Sequence, residues 1–300
     1  MRILLVTGKG GGGTTTIAAA SATVLADAGH RTVLLSSDGD VAAGLAGTSV
    51  RVIVPAGQAT LERWWPTVSP WLDLPLQRLG SALPAVDALA VPAGSGVLAL
   101  LAVLADTAGE DDADVLVVDA GPTSSAIALL SVPDAARRAL GAFIPLQHRV
   151  IGGARGAVAF AAFQSARARL RSVGEILTDP TSVSARLVMV PEAAALTAAR
   201  RARAVLALHG VGVDGLVVNR VPPPGGDGLI GALARQSTDV QADAAHRFAD
   251  IAIHRIDLRA GGTETPAALR AIGGQAGAAD ESPVPRTSLP PPSVSATDDG

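Results

Sequence analysis

A run of glycines close to the N-terminus is the most distinctive feature of this sequence. Gly8 and Gly13 are separated by four residues, three of which are also glycines, and a run of threonines follows directly. Glycine allows the backbone to curve around phosphate oxygens with its N–H groups pointing inward. A helix that starts at the end of such a loop adds its own free N–H groups and the positive end of its dipole. The pattern predicts a phosphate-binding loop formed by Gly8, Lys9, Gly10, Gly11, Gly12, Gly13, Thr14, Thr15 and Thr16.

The side chains of this loop predict how it would bind a phosphate chain and how well it would support hydrolysis. Thr15 lies where the hydroxyl group of a phosphate loop ligates Mg²⁺. The lysine that usually precedes this position is replaced by Thr14, which removes a charged hydrogen bond of about 1.5–3 kcal/mol. We therefore expect the backbone to carry most of the binding. Hydrolysis should suffer more than binding, because negative charge develops on these oxygens in the transition state.

The elements on either side of the loop are those that a phosphate loop requires. Residues 2–7 are apolar and predict a buried strand, residues 14–28 predict a helix that ends at Gly29, and residues 31–36 predict a second buried strand. A strand, a helix and a strand in this order form a βαβ unit, and such units predict a parallel sheet. An alternative interpretation, a flexible glycine linker, lacks this flanking structure.

The rest of the chain continues the alternation. Further strands are predicted at 114–119, 186–190, 215–219 and 249–255, with helices between them at 135–177 and from 191 to 208, and a short helix at 267–272. The predicted fold class is α/β, with a doubly wound, mostly parallel sheet and a helical subdomain. Ligands of such sheets bind at the carboxyl ends of the strands. Asp38, Asp119 and Asn219 follow or end predicted strands and are candidate site residues.

The sequence also predicts how the domain is organised. We expect one nucleotide-binding domain over residues 1–272, with helical insertions at about 46–113 and 134–180 and a disordered tail rich in proline, serine and aspartate over 273–300. The first insertion holds all three tryptophans, Trp64, Trp65 and Trp71. We interpret them as packing residues of the helical subdomain, the alternative being an exposed surface for a hydrophobic client or a membrane-protein partner.

Composition excludes several classes of function. The net charge of −3 does not favour a nucleic-acid partner, since such proteins are usually basic. The absence of cysteine rules out disulfides and thiolate metal sites, and the five histidines have no ligand spacing. The uncharged stretch 88–105 is interrupted by Pro92, Gly94 and Gly96, which favours a buried helix over a membrane span. A cytoplasmic location is the expectation.

The glycine loop and three later segments resemble those of the arsenical pump-driving and tail-anchored-protein-targeting ATPases, a family with a deviant Walker A motif. That family's loop carries an early lysine, which is Lys9 here and is the only lysine among 24 basic residues. Asp119-Ala-Gly-Pro122-Thr123 is similar to the family's segment after the third strand. Pro191-Glu192 and the strand that ends at Asn219 are similar to two further family segments.

The resemblance implies a role for each matching residue. Lys9 would reach across a dimer interface to the nucleotide of the partner, Asp38 would position the attacking water, and Asp119 would hold a water molecule on the metal. Asn219 would contact the adenine base. The implied cofactors are ATP and Mg²⁺, and the implied assembly is a homodimer or a heterodimer with a related ATPase.

Three departures from the family pattern keep two functions open. Thr14 replaces the second lysine of the loop, the proline expected after Asp38 is absent, and Ser124-Ser125 replace a Gly-His pair. The first hypothesis is an ATPase in which hydrolysis drives dimer opening and closing. The alternative is a catalytically weak subunit that donates Lys9 in trans to an active partner. A relative that acts on membranes or DNA ranks last, since the tail ends in Asp298-Asp299 rather than in a basic helix.

Overall fold

The protein is described here from a computed structural model. The structure describes residues 1–55, 113–147, 171–262 and 265–277, together with residues 62, 100–101, 103–104, 106–107, 164–165 and 167–168. The tryptophan cluster and the segment 278–300 lie outside the described residues, as does most of the stretch 88–105.

A seven-stranded sheet forms the centre of the fold. Its strands are β1 Arg2–Gly8, β2 Thr32–Leu35, β3 Arg51–Ile53, β4 Val115–Pro122, β5 Val183–Met189, β6 Gly212–Val221 and β7 Ala252–Asp257. They lie in the order β3-β2-β4-β1-β5-β6-β7, and every neighbouring pair is parallel. The predicted α/β fold with a parallel sheet is therefore confirmed.

Helices cover both faces of this sheet. They are α1 Thr14–Asp27, α2 Val41–Gly44, α3 Thr123–Gln147, α4 at residues 171–178, α5 Ala193–Leu208, α6 Gly228–Arg247 and α7 Pro266–Gln275. Alternate residues of β1 show how the two layers form: Ile3 and Leu5 belong to the core under α3, α4 and α5, whereas Leu4 and Val6 belong to the core under α1 and α7. All four are fully buried, as expected for a central parallel strand.

The structure differs from the sequence prediction at several boundaries. The segment 46–113, predicted to be mostly helical, contains β3, and the helix predicted from 135 begins at Thr123. The helix α6 was not predicted, because most of its residues are polar or small and its one buried face consists mainly of small residues. The predicted disordered tail starts too early: residues 273–277 are helix and turn, and Gly273 packs against Ala20 and Val24 of α1 with no space for a side chain.

Within the described part of the chain, no helix combines the length and the apolar character that crossing a bilayer requires. The same residues contain no cluster of three or more side chains that could hold a metal ion on their own.

Candidate nucleotide-binding site

The glycine loop connects the carboxyl end of β1 to the first residue of α1. Gly8 is the last residue of β1, where it pairs with Val188 of β5 and Pro122 of β4. A Cβ atom at Gly8 would collide with the Val188 carbonyl, so only glycine fits between the three strands. Gly13 is the N-cap of α1 with φ 92°, a left-handed conformation that glycine adopts without strain. The loop geometry thus requires the two glycines that define its spacing.

The backbone of this loop leaves its N–H groups available. Within the described residues, the N–H groups of Gly10, Gly11 and Gly13 and of the first turn of α1 have no acceptor, whereas that of Gly12 donates to the Lys9 carbonyl at 3.1 Å. No acidic side chain occupies the first turn of α1. Free N–H groups at the start of a helix attract anions. The arrangement suits phosphate oxygens, which can satisfy several of these donors at once.

The loop side chains differ in how far they are buried. Lys9 is exposed and has no ion pair among the described residues. Thr14, at the position where a lysine is usual, is 9% exposed, while Thr15 and Thr16 are half-buried. The uncharged Thr14 therefore packs into the fold, and the one ammonium group of the loop extends into solvent.

Asp119 lies beside the loop on the neighbouring strand. It pairs in register with Val6 of β1, and the β1–β4 register then shifts by one residue, so that Thr7 pairs with Gly121. Thr7 Oγ1 donates to the Gly121 carbonyl at 3.0 Å, which stabilises the shifted register. Asp119 is 5% exposed, and its carboxylate accepts hydrogen bonds from Ser36 Oγ at 2.9 Å and from the Gly121 N–H at 3.2 Å.

A buried serine connects this carboxylate to the segment that follows β2. Ser36 is fully buried, donates to Asp119 and accepts the N–H of Asp38 at 3.2 Å. The Asp38 side chain is exposed, and its Oδ1 accepts the N–H of Asp40 at 3.0 Å, an Asx turn that leads into α2. Asp38 rather than Asp40 is therefore tied through Ser36 to Asp119.

Asn219 lies at the end of β6 and contacts the loop from the opposite side. Its Nδ2 donates to the Gly12 carbonyl at 2.8 Å, its Oδ1 accepts the N–H of Arg220 at 2.9 Å, and the residue is 8% exposed. The structure thus brings Asn219 to the phosphate loop, where one N–H and one lone pair of the amide remain for another partner.

A groove of about 400 Å³ opens next to the loop on the side of α3 and α5. Lys9 and Arg201 lie at its polar rim, and the side chain of Thr123 also donates to the Gly8 carbonyl at 3.3 Å. Ser124, Thr197 and aliphatic side chains of α3 and α5 line most of the remainder. Thr123 is the first residue of α3 and directly follows β4, and no local sequence signal indicates its contact with Gly8.

Sequence reasoning did not single out Ser36, and it named Thr123 only as part of a segment that resembles the family, without a contact for its hydroxyl. Both are hydroxyl residues without a distinctive spacing, and their contacts span 83 and 115 positions of the chain. The sequence signal for Ser36 was its position at the end of a predicted strand, two residues before the candidate Asp38. The partner of its hydroxyl, however, is set by the order of the strands in the sheet.

The chain belongs to the family described as anion-transporting ATPase, whose sequence profile matches residues 1–45 and 76–261. The resemblance inferred from the glycine loop is thereby confirmed at the level of the family. The matched ranges contain the loop and every candidate site residue.

Individual relatives agree with this assignment. The chain is 34% identical over 263 residues to an uncharacterised protein of Streptomyces coelicolor, covering 79% of this chain and 67% of the relative. It is 29% identical over 253 residues to the "Putative arsenical pump-driving ATPase 1" of Aquifex aeolicus, covering 74% and 64% respectively. A Mycobacterium tuberculosis protein is 34% identical over 250 residues, covering 73% and 59%. The chain thus spans about three fifths to two thirds of the length of these relatives.

Proposed function

We propose that this protein binds Mg·ATP in the glycine loop and hydrolyses it, and that binding and hydrolysis drive the opening and closing of a dimer. The observation that carries the proposal is the set of N–H groups of Gly10, Gly11, Gly13 and the first turn of α1, which have no acceptor among the described residues and lie beside a buried carboxylate at Asp119. A triphosphate supplies acceptors for these donors. Family membership supports the same activity.

The residues present fit a magnesium ion bound together with the nucleotide. Thr15 offers a hydroxyl at the start of α1, and Asp119 offers a carboxylate whose orientation is held by Ser36 and Gly121. Oxygen ligands of this kind, together with phosphate oxygens and water, are those that Mg²⁺ prefers. When bound, the ion would neutralise charge on the phosphate oxygens.

Each remaining residue has a proposed task in the same site. Asp38 would accept a hydrogen bond from the attacking water, and its backbone link to Ser36 ties it to the carboxylate that faces the metal. Asn219 would offer its free N–H and lone pair to the adenine edge. Lys9, which extends into solvent, would contact the phosphates of the nucleotide held by a partner subunit. A hydrophobic client or membrane-protein partner remains part of the proposal, as does a cytoplasmic location.

The burial of Thr14 favours a second function, that of a weak subunit that donates Lys9 in trans to an active, related ATPase. No ammonium group is available from Thr14 to stabilise charge on the transferred phosphoryl group. Slow or absent turnover by the purified chain is then expected, with activity appearing only in a mixed dimer.

The experiment combines calorimetry with Mg·ATP and Mg·ADP and a turnover assay on the wild type, Lys9→Ala and Thr14→Lys. Binding of both nucleotides by the wild type is expected under either function. Turnover by the purified chain supports the ATPase, and turnover no faster than buffer together with stimulation of a related partner supports the subunit. A mixed dimer that is indifferent to Lys9→Ala would exclude the subunit, and absent binding of either nucleotide would exclude both functions.

A further inference from the structure

The end of β6 is irregular where it approaches the glycine loop. The pairing of β6 with β7 shifts between Val218 and Val221, and Arg220 has φ 59°, in the left-handed region that residues other than glycine rarely adopt. Irregularities of this kind redirect a side chain away from the regular alternation of a strand. Here the redirected residue is Asn219, the only asparagine in the chain.

The hydrogen bonds of Asn219 determine which end of its amide faces the loop. Oδ1 accepts the N–H of Arg220, and a backbone N–H can only be satisfied by an acceptor. The amino group must therefore point the other way, where it donates to the Gly12 carbonyl at 2.8 Å in a buried environment. The Arg220 N–H thus sets the orientation of the Asn219 donor.

This donor holds one particular peptide group of the loop. The carbonyl of Gly12 and the N–H of Gly13 belong to the same trans peptide, so they point in opposite directions. Fixing the carbonyl toward Asn219 turns the N–H of Gly13 away from it, and that N–H has no acceptor among the described residues. The approach also needs glycine at position 13, because a Cβ there would collide with Asn219 Nδ2.

We propose that Asn219 is a positioning residue that holds the phosphate loop in its binding conformation before any ligand arrives. It would preset the Gly13 N–H for an oxygen of a polyphosphate, independently of the base attached to that polyphosphate. The inference rests on the proposed function in that it assigns the loop to nucleotide phosphates. It extends that function, because Asn219, proposed above to contact the adenine base, would also position the loop through its hydrogen bond to the Gly12 carbonyl.

Inorganic tripolyphosphate separates this task from contact with the base. Calorimetry would compare Mg·ATP with Mg·tripolyphosphate for the wild type, Asn219→Ala and Asn219→Asp, with Gln241→Ala as a control that removes a side-chain amide bond to Ser237 far from the loop. Asn219→Ala should weaken both ligands about tenfold, the effect of one hydrogen bond to a loop that must otherwise order itself. Asn219→Asp keeps the side-chain shape and the hydrogen bond from Arg220, but it places an oxygen opposite the Gly12 carbonyl oxygen. Its affinity for both ligands should therefore fall at least as much as that of Asn219→Ala.

A fall in ATP affinity with unchanged tripolyphosphate affinity would show that Asn219 serves the base alone, and would overturn the proposal. Unchanged affinity for both ligands would overturn it as well. If the affinity for ATP falls more than the affinity for tripolyphosphate, the difference measures the contact with the base, and the proposal is still supported.

Hydrogen exchange of the ligand-free protein tests the same contact without a nucleotide. Peptides that cover residues 8–16 should exchange several-fold faster in Asn219→Ala than in the wild type, while those of β5 should be unchanged. Equal exchange in the loop would refute the inference. If the wild type bound neither polyphosphate, the proposed function would fail, yet the exchange experiment would still decide whether Asn219 holds the loop.

Discussion

The two edges of the parallel sheet use their polar residues in opposite ways. At the amino edge, charged side chains neutralise one another: Arg2 pairs with Asp214 at 3.9 Å and Arg31 pairs with Asp114 at 2.6 Å. Arg186, in the middle of β5, contacts the same Asp214 carboxylate at 3.1 Å. At the carboxyl edge, neither an ion pair for Lys9 nor an acceptor for the N–H groups of Gly10, Gly11 and Gly13 is found among the described residues. The charges of the first edge compensate one another, although Arg2 Nε and Arg186 Nη1 are buried without a hydrogen-bond partner in the described part of the chain, whereas the N–H groups of the second edge would be satisfied by a ligand.

The two edges differ in how their buried carboxylates are compensated. Asp214 is 7% exposed and accepts from Ser184 as well as from Arg186, so its charge is compensated where it is buried. Asp119 is equally buried but is held only by Ser36 and the Gly121 N–H, with no cation beside it among the described residues. Mutations should therefore affect stability at the amino edge and binding at the carboxyl edge.

The largest expected effect is on stability, from Asp214→Ala. Removing the carboxylate leaves Arg186 with a buried, uncompensated charge, and such a change costs about 3–5 kcal/mol. Urea unfolding measures the loss, with Asp243→Ala as the control, since its exposed pair with Arg247 on α6 should contribute less than about 0.5 kcal/mol. Equal losses for the two variants would contradict the comparison of the edges.

At the carboxyl edge, Gly13→Ala should affect binding more than stability. The new side chain must adopt a left-handed φ, which costs about 1–2 kcal/mol, and must displace the Asn219 amide. We expect Mg·ADP affinity to fall roughly 30-fold. Gly10→Ala places the same methyl group in open space of the same loop, and its affinity should change less than about threefold. Similar losses of Mg·ADP affinity for both variants would show that the left-handed conformation of Gly13 does not determine nucleotide binding.

Ser36→Ala should weaken the site by a smaller amount. The hydroxyl donates to a buried carboxylate, and a hydrogen bond to a charged group contributes about 1.5–3 kcal/mol. Titration of Mg²⁺ at fixed ADP should then require about ten times more cation. Ser37→Ala, at the exposed neighbouring serine, is the matched control and should leave the titration unchanged.

The smallest effect concerns the exposed pair at the amino edge. Hydrogen bonds from the Arg31 side chain and backbone lower the pKa of Asp114 from 3.8 to about 2. Because the folded-state pKa is depressed, the pair stabilises the fold above pH 3.8, and the contribution is lost as the pH falls toward 2. The stability difference between wild type and Asp114→Asn, measured by urea midpoints from pH 5 downward, should shrink over this range. A difference that grows as the pH falls would refute this linkage.

The alternation of strands and helices could be predicted from the sequence because the central strands are buried on both faces and are therefore largely apolar. Residues 2–7 and 114–119 illustrate this, and the observed strands lie within three residues of those predictions at either end. The strand β3 was not predicted, because it has only three residues and is only partly buried. The helix α6 was not predicted because its buried positions recur at helical spacing but carry mostly small residues, which give a sequence pattern little hydrophobic contrast.

By itself, the sequence determined the location and chemistry of the phosphate loop, since glycine spacing reflects local backbone geometry. It also determined that Lys9 and Asp119 are candidates, because each stands next to a local element that the sequence encodes. Only the tertiary structure decided that Ser36 contacts Asp119 and that Asn219 contacts Gly12. These contacts span 83 and 207 positions of the chain. They depend on which strands become neighbours and where a strand bulges, and no short stretch of sequence contains that information.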